Sequence, residues 1–249
     1  MSNTFPTEDE RENCPFYFKI GACRNGDRCN RIHIKPTKSQ SIVIPHMYTN
    51  TAESMAIAND EDWDTEMYQR AQEHVELFYE EVFLELARVG GEIEELVVVD
   101  NVSDHMVGNV YCKFYNEEDA EKAINNMSDR FYGAKLLQPE LTPVVNFREA
   151  RCRAFHETRC ARGGLCNFMH VKHIPKAVKK TVVKEMYKAH PEFRGKDKAR
   201  DQEVKDEEKE VDSKKRKRAP TPERKGLIAQ WNKERAAELQ GQVVPALTA

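Results

Sequence analysis

Long apolar runs are missing from this 249-residue chain. No stretch approaches the 18 or so residues that would cross a bilayer, and no secretory leader opens it, so it is expected to be neither membrane-spanning nor secreted. Tryptophan is scarce, with two copies, and glycine and proline number eleven each, which excludes collagen-like and low-complexity chains. Paired carboxylates, a nucleophile with its base and a phosphate-binding glycine loop are also missing. An enzyme, such as a nuclease, therefore finds no support. Net charge is nearly absent too, at −3. Cysteine is sparse, yet six of the seven fall into one repeated pattern, leaving only Cys112 over.

The pattern appears first as Cys14-x8-Cys23-x5-Cys29-x3-His33 and again as Cys152-x7-Cys160-x5-Cys166-x3-His170. Three thiolates and an imidazole complete a tetrahedral zinc site of the structural kind, since catalytic zinc keeps one position for water. Two structural zinc ions are expected, with His173 a weaker rival to His170. Counted from the second cysteine of each copy, Phe18 matches Phe155, Gly26 matches Gly163 and Asn30 matches Asn167. Modules this small cannot bury enough apolar surface to fold alone, so the metal supplies the stability. The glycines fit left-handed turns around the ion. Cysteines spaced for metal rather than paired suit a reducing compartment.

The small net charge conceals segregation. Residues 11–40 carry +5 and residues 146–180 carry +7, whereas residues 51–145 carry −16. Phosphate chains are bound through Lys and Arg that displace counterions, so the two fingers suit a nucleic acid and the middle would repel one.

In that middle, Met67, Ala71, Val75, Phe78, Val82 and Leu86 form an apolar stripe at helical spacing, ended by Gly90-Gly91. The helix is expected to begin among residues 60–64 and to run to about residue 88, roughly 35 Å in length. Residues 54–58 are a weak strand candidate before it, and Leu96–Val99 a strong one after it. From Asn109 to Phe114 the pattern alternates, with Val110, Cys112 and Phe114 on one side and Tyr111 on the other. A second helix begins after Asn116, and residues 136–141, containing Pro139, read as an edge strand. The order β-α-β-β-α-β is a ferredoxin-like sandwich of the kind used by RNA-recognition motifs. Such motifs carry stacking aromatics on the third strand. Here Val107 and Asn109 replace the basic and aromatic residues, which leaves Tyr111 as the one expected on the open face. Stacking contributes about 1–3 kcal/mol per base, so the loss of this platform together with the charge of −16 leads us to expect that the sandwich binds protein rather than RNA.

The segments FYFKIGACRNGDRC, EEVFLEL, DHMVGNVYCKF, EEDAEKA and ARGGLCNFMH resemble the small subunit of the U2 auxiliary factor (U2AF), a splicing-factor family. The resemblance spans about residues 12–175 in the family's order of finger, sandwich, finger. It implies a finger at 12–40, an RNA-recognition-like U2AF-homology motif at 51–145, a second finger at 146–174 and a charged tail at 175–249. It implies a nuclear, non-enzymatic pre-mRNA splicing subunit. The fingers would bind the AG region of the 3′ splice site as single-stranded RNA, and the sandwich would form a heterodimer with the U2AF large subunit, alongside other spliceosomal proteins. Residues expected at the RNA are Phe16, Arg24, Arg28, Asn30 and Arg31 in the first finger, and Arg153, Phe155, Arg162 and Phe168 in the second. At the large subunit the resemblance implies Glu76, Glu80, Glu81 and Glu85 with the loop Arg130, Phe131 and Tyr132. Tyr132 stands where the family has phenylalanine, and Phe131 where it has a tryptophan.

Residues 181–249 hold seventeen basic and thirteen acidic side chains and are expected to be largely disordered or partly helical, without any Arg-Ser dipeptide. Lys214 to Arg218 reads as a nuclear-import signal, Thr221-Pro222 as a phosphorylation site, and the stretch around Trp231 as a weak linear motif. An alternative function for paired fingers of this spacing is regulation of mRNA stability through AU-rich elements, although such fingers usually stand in tandem.

Overall fold

The computed structural model describes residues 13–59, 62 and 64–193. The first finger opens with a short helix, α1 (Pro15–Ile20), started by proline in its first turn and ended by Gly21 at φ 72°. A Cβ on Gly21 would lie 2.3 Å from Thr142 Oγ1, so both its handedness and its closeness to the sheet require glycine.

The sheet begins earlier than the pattern suggests. Its first strand is β1 (Ser41–Ile44), while residues 52–59 form a helix, α2 (Ala52–Asn59). The expected strand at 54–58 is thus corrected, and the sandwich starts before residue 51. All four residues of β1 are buried, so no alternation marked it. Thr51 turns the following chain into helix, its hydroxyl accepting from the Ser54 amide at 3.2 Å.

Helix α3 (Thr65–Val89) follows, with the Asp64 carboxylate accepting from the Met67 amide at 2.7 Å as its cap. Val75, Phe78, Val82 and Leu86 of the stripe are buried. Then come β2 (Ile93–Val98), β3 (Val110–Phe114) and α4 (Glu117–Met127). A hairpin of β4 (Phe131–Tyr132) and β5 (Lys135–Leu136) leads to β6 (Glu140–Leu141). The expected strand at 136–141 is therefore divided, with Pro139 between its halves. The four-stranded antiparallel sheet has the order β2-β3-β1-β6, which is the ferredoxin-like arrangement and puts β6 on an edge.

The second finger follows as α5 (Phe147–Ala150) and α6 (Arg153–Glu157), and then α7 (Lys176–Ala189). Helix α7 packs on α3 and buries Val182 and Met186, while its Tyr187 hydroxyl donates to Glu92 at 2.9 Å. The beginning of the charged tail is thus helical and belongs to the folded unit. The features read at Lys214 to Arg218, Thr221-Pro222 and Trp231 lie outside the described residues.

One cluster fixes the placement of the fingers. Tyr111, Val43, Val97 and Val99 from the sheet pack with Ile20 of the first finger and with Phe147, Ala150 and Met169 of the second. Tyr111 is fully buried, its ring edge-on to Phe147 at 6.0 Å. The expectation that it stays on an open face is corrected: the surface an RNA-recognition fold uses is covered by the fingers. Cys112 faces the other way into the core, where burial pushes its thiol well up, as a small hydrophobe should behave.

Candidate functional site

Each finger gathers its four ligands. Within Cys14, Cys23, Cys29 and His33, and within Cys152, Cys160, Cys166 and His170, the donor atoms all lie within 4.8 Å of one another. Sulfur separations are 3.6 Å for Cys14–Cys23 and 3.8 Å for both Cys23–Cys29 and Cys152–Cys166. A tetrahedron with Zn–S arms of about 2.3 Å has edges of about 3.8 Å, so the spacing fits zinc. His33 Nε2 and His170 Nε2 are buried without a hydrogen-bond partner among the described residues, as metal-directed lone pairs would be. Burial pushes His170 down to about 4, keeping its ring neutral as a ligand must be. The protein thus holds two structural zinc ions. His173 stands outside the ligand set, and its carbonyl accepts from Gln72 at 3.0 Å.

The two copies share more than ligands. Cys14 donates its amide to Ile32 O at 3.0 Å, and Cys152 donates to Met169 O at 2.8 Å. Gly26 and Gly163 both open a single 3₁₀ turn at positive φ, 46° and 52°. The aromatic match is different from that counted along the sequence. Tyr17, not Phe18, is the counterpart of Phe155: Tyr17 stacks on His33 at 4.6 Å and Phe155 on His170 at 4.0 Å. Both sit three residues after the first cysteine, and the extra residue of the x8 spacing falls after them. Phe18 is left 66% exposed.

The fingers touch. Arg24 of the first donates to Leu165 O of the second at 2.7 Å. The first finger is tied to the sheet edge by Lys35 and Glu140 at 2.8 Å and by Ser39 Oγ donating to Thr142 O at 2.7 Å. Asn101, fully buried, ties the second: its Nδ2 donates to Cys166 O at 2.9 Å and Phe168 O at 3.1 Å, while its Oδ1 accepts from the His170 amide at 2.7 Å. The buried Lys172 pairs with the half-buried Asp100 and donates to Ser54 Oγ at 2.8 Å.

Among the residues expected at RNA, Arg28, Asn30 and Arg31 are exposed on the first finger and Phe16 is 39% exposed. Arg24 is committed to the contact between fingers. In the second finger Arg162 is exposed and bonds the Cys166 and Cys160 thiols, balancing the negative charge of a three-thiolate site. Arg153 is exposed but held by both Glu157 oxygens at 2.9 Å. Phe168 is half-buried against the cysteines and the sheet core, and Phe155 is engaged with His170. Phe18, read from the sequence only as the counterpart of Phe155, and Ile32 and Ile34, not read from it at all, are exposed apolar side chains on the first finger.

A second site lies on the helical side. Glu81, Glu85, Arg130, Phe131 and Tyr132 line a cleft of about 650 Å³, floored by apolar side chains such as Val82 and Leu137. Glu85 pairs with Arg130 and with Arg88, each at 2.7 Å. The Arg88 hydrogen bond, with Arg130 assisting, pulls Glu85 down to about 2. The Tyr132 hydroxyl donates to Glu81 at 2.9 Å, so the extra oxygen is satisfied rather than stranded in the cleft. Phe131 projects from the rim, 70% exposed. Glu76 and Glu80 are not in the lining, and Glu76 instead accepts from Gln72 at 2.7 Å.

The zinc finger family of C-x8-C-x5-C-x3-H type (and similar) matches residues 9–35. The splicing factor U2af 38 kDa subunit of Drosophila melanogaster is 47% identical over 181 residues, covering 72% of this chain and 69% of its own. The human U2AF 26 kDa subunit is 47% identical over 174 residues, covering 70% and 79%. The Schizosaccharomyces pombe U2AF 23 kDa subunit is 45% identical over 172 residues, covering 69% and 76%. With identity of this depth over more than two thirds of both chains, the chain belongs to the U2AF small-subunit family of splicing factors.

Proposed function

We propose that the joined zinc fingers bind the AG region of a pre-mRNA 3′ splice site, and that the cleft on the helical side of the acidic sandwich holds a basic, tryptophan-bearing segment of the U2AF large subunit. The observation that carries this reading is the burial of Tyr111 beneath both fingers, which removes the sheet as an RNA platform and leaves the basic fingers in its place. Charge supports the same division. The fingers carry +5 and +7, and the segment bearing the cleft carries −16. A nuclear site of action and contacts to other spliceosomal proteins follow from the same reading. The alternative, regulation of mRNA stability through AU-rich elements, is disfavoured because these fingers are joined through a sandwich and not in tandem.

The experiment is a two-by-two binding measurement. Glu81→Lys should weaken binding of a large-subunit fragment, mainly through association rate and salt dependence, with RNA affinity level or raised. Arg28→Ala should leave the fragment unchanged, weaken RNA, and make the salt slope shallower by about 0.7 if it neutralises one phosphate of a single strand. Loss of RNA binding in a folded Glu81→Lys protein would refute the division.

A further inference from the structure

Beside the second zinc site lies a cleft of about 520 Å³ between the finger loop and α2. Cys160 and His170 border it but Cys152 and Cys166 do not, so it is a space next to the metal and not the metal's own void. Neither the zinc geometry nor the partner cleft uses it. Its lining combines an aromatic surface, a carboxylate and a cationic rim, from Phe155, Asp100 and Arg159.

These groups are held in place. Phe155 is fixed by its stack on His170 at 4.0 Å, and Ile57 of α2 faces the same space. Asp100 is fixed twice: its amide donates to His170 O at 2.6 Å, and its carboxylate pairs with the buried Lys172. A carboxylate offers about four acceptor positions and no donor, and Lys172 takes one of them at Oδ1.

An acceptor-only group beside an aromatic wall is selective among bases. Guanine alone presents two adjacent donors on its Watson–Crick edge, N1–H and N2–H. Adenine and cytosine set a donor beside an acceptor, and uracil sets one donor between two acceptors. We propose that this cleft seats the guanine of the bound single strand, with Asp100 accepting from N1–H and N2–H and Phe155 providing the stacking surface. The proposal rests on the reading that the fingers bind AG-containing RNA, and it adds the position and the group that distinguish guanine.

The test is equilibrium binding of the full chain to a short AG-containing RNA, and to the same RNA with inosine or adenine at the guanine. Inosine keeps N1–H and lacks the N2 amino group. Wild-type protein should lose about 10-fold in affinity with inosine, in the range of a bidentate base contact. Asp100→Asn should bind the guanine strand about 10-fold more weakly and hardly distinguish it from inosine, with two zinc ions retained. Equal wild-type affinity for guanine and inosine would overturn the proposal without altering the protein. Full guanine preference in a zinc-replete Asp100→Asn protein would overturn it while leaving AG binding intact. A wild-type chain that does not prefer AG over AA would remove the underlying reading and this proposal together.

Discussion

Asn101 shows how much of the second finger depends on a residue outside it. Its side chain satisfies two carbonyls and one amide of the Cys166–His170 turn from a position 65 to 69 residues away in sequence. Each buried partner left unsatisfied costs about 1–3 kcal/mol. Asn101→Ala should therefore release the second zinc to a competing chelator well before the first; equal release of both ions would show the turn holds itself. A pH dependence belongs to Glu85. Its folded value, about 2, lies below the ordinary carboxylate range, so its pairing contributes fully above about pH 4.3 and fades as the pH falls towards 2. A carboxyl titration followed by NMR should give a midpoint near 2, and Arg88→Ala should raise it. The zinc ligands were legible because metal chemistry demands particular residue types at close spacing. Asn101 was not, because a lone asparagine in a loop has no period, and the aromatic partners of the ligand histidines were misaligned by the single residue separating x8 from x7.

Among the elements, α3, β2, β3 and α4 were legible because each has one face against the core and the other against something different. The first strand was not. Ser41–Ile44 is buried on both sides, with helices on one face and finger residues on the other, so four residues carried no alternation. Helix α7 was hidden for the opposite reason: its lysine-rich sequence resembles a solvated tail, and Val182 and Met186 alone mark its buried face. Met186→Ala should cost about 2–5 kcal/mol in urea unfolding, whereas Lys184→Ala, on the exposed side, should stay within about 0.5 kcal/mol. Similar small values for both would mean that α7 contributes little to the unit. Gly108 makes the turn into β3 at φ 67°, and a Cβ there would lie 2.1 Å from Tyr48 O. Gly108→Ala should therefore destabilise by more than the roughly 1–2 kcal/mol of a left-handed alanine, read in the same unfolding assay.

At the scale of the whole molecule, the sandwich is used from both sides. Its helical side carries the cleft lined by Glu81, Glu85 and Tyr132, and its sheet side is occupied by two fingers that share a core with it and meet through Arg24 and Leu165. The division between basic ends and acidic middle was visible in the sequence, because charge counts need no folding. That the fingers lie on the sheet was not visible, since Ile20, Tyr111 and Met169 are far apart in the chain and their contact is purely tertiary. The sheet's loss of RNA-binding aromatics and the coverage of its remaining tyrosine are therefore one feature seen at two levels. The most direct measurement is photo-crosslinking of a short AG-containing RNA to the full, zinc-loaded chain, with the attachment sites found by mass spectrometry. Crosslinks should fall on finger residues, with Phe16, Phe18 and the peptides around Arg28 and Arg162 foremost, and none on β2 or β3. Attachment at Tyr111 or elsewhere in residues 107–114 of the folded protein would contradict the account.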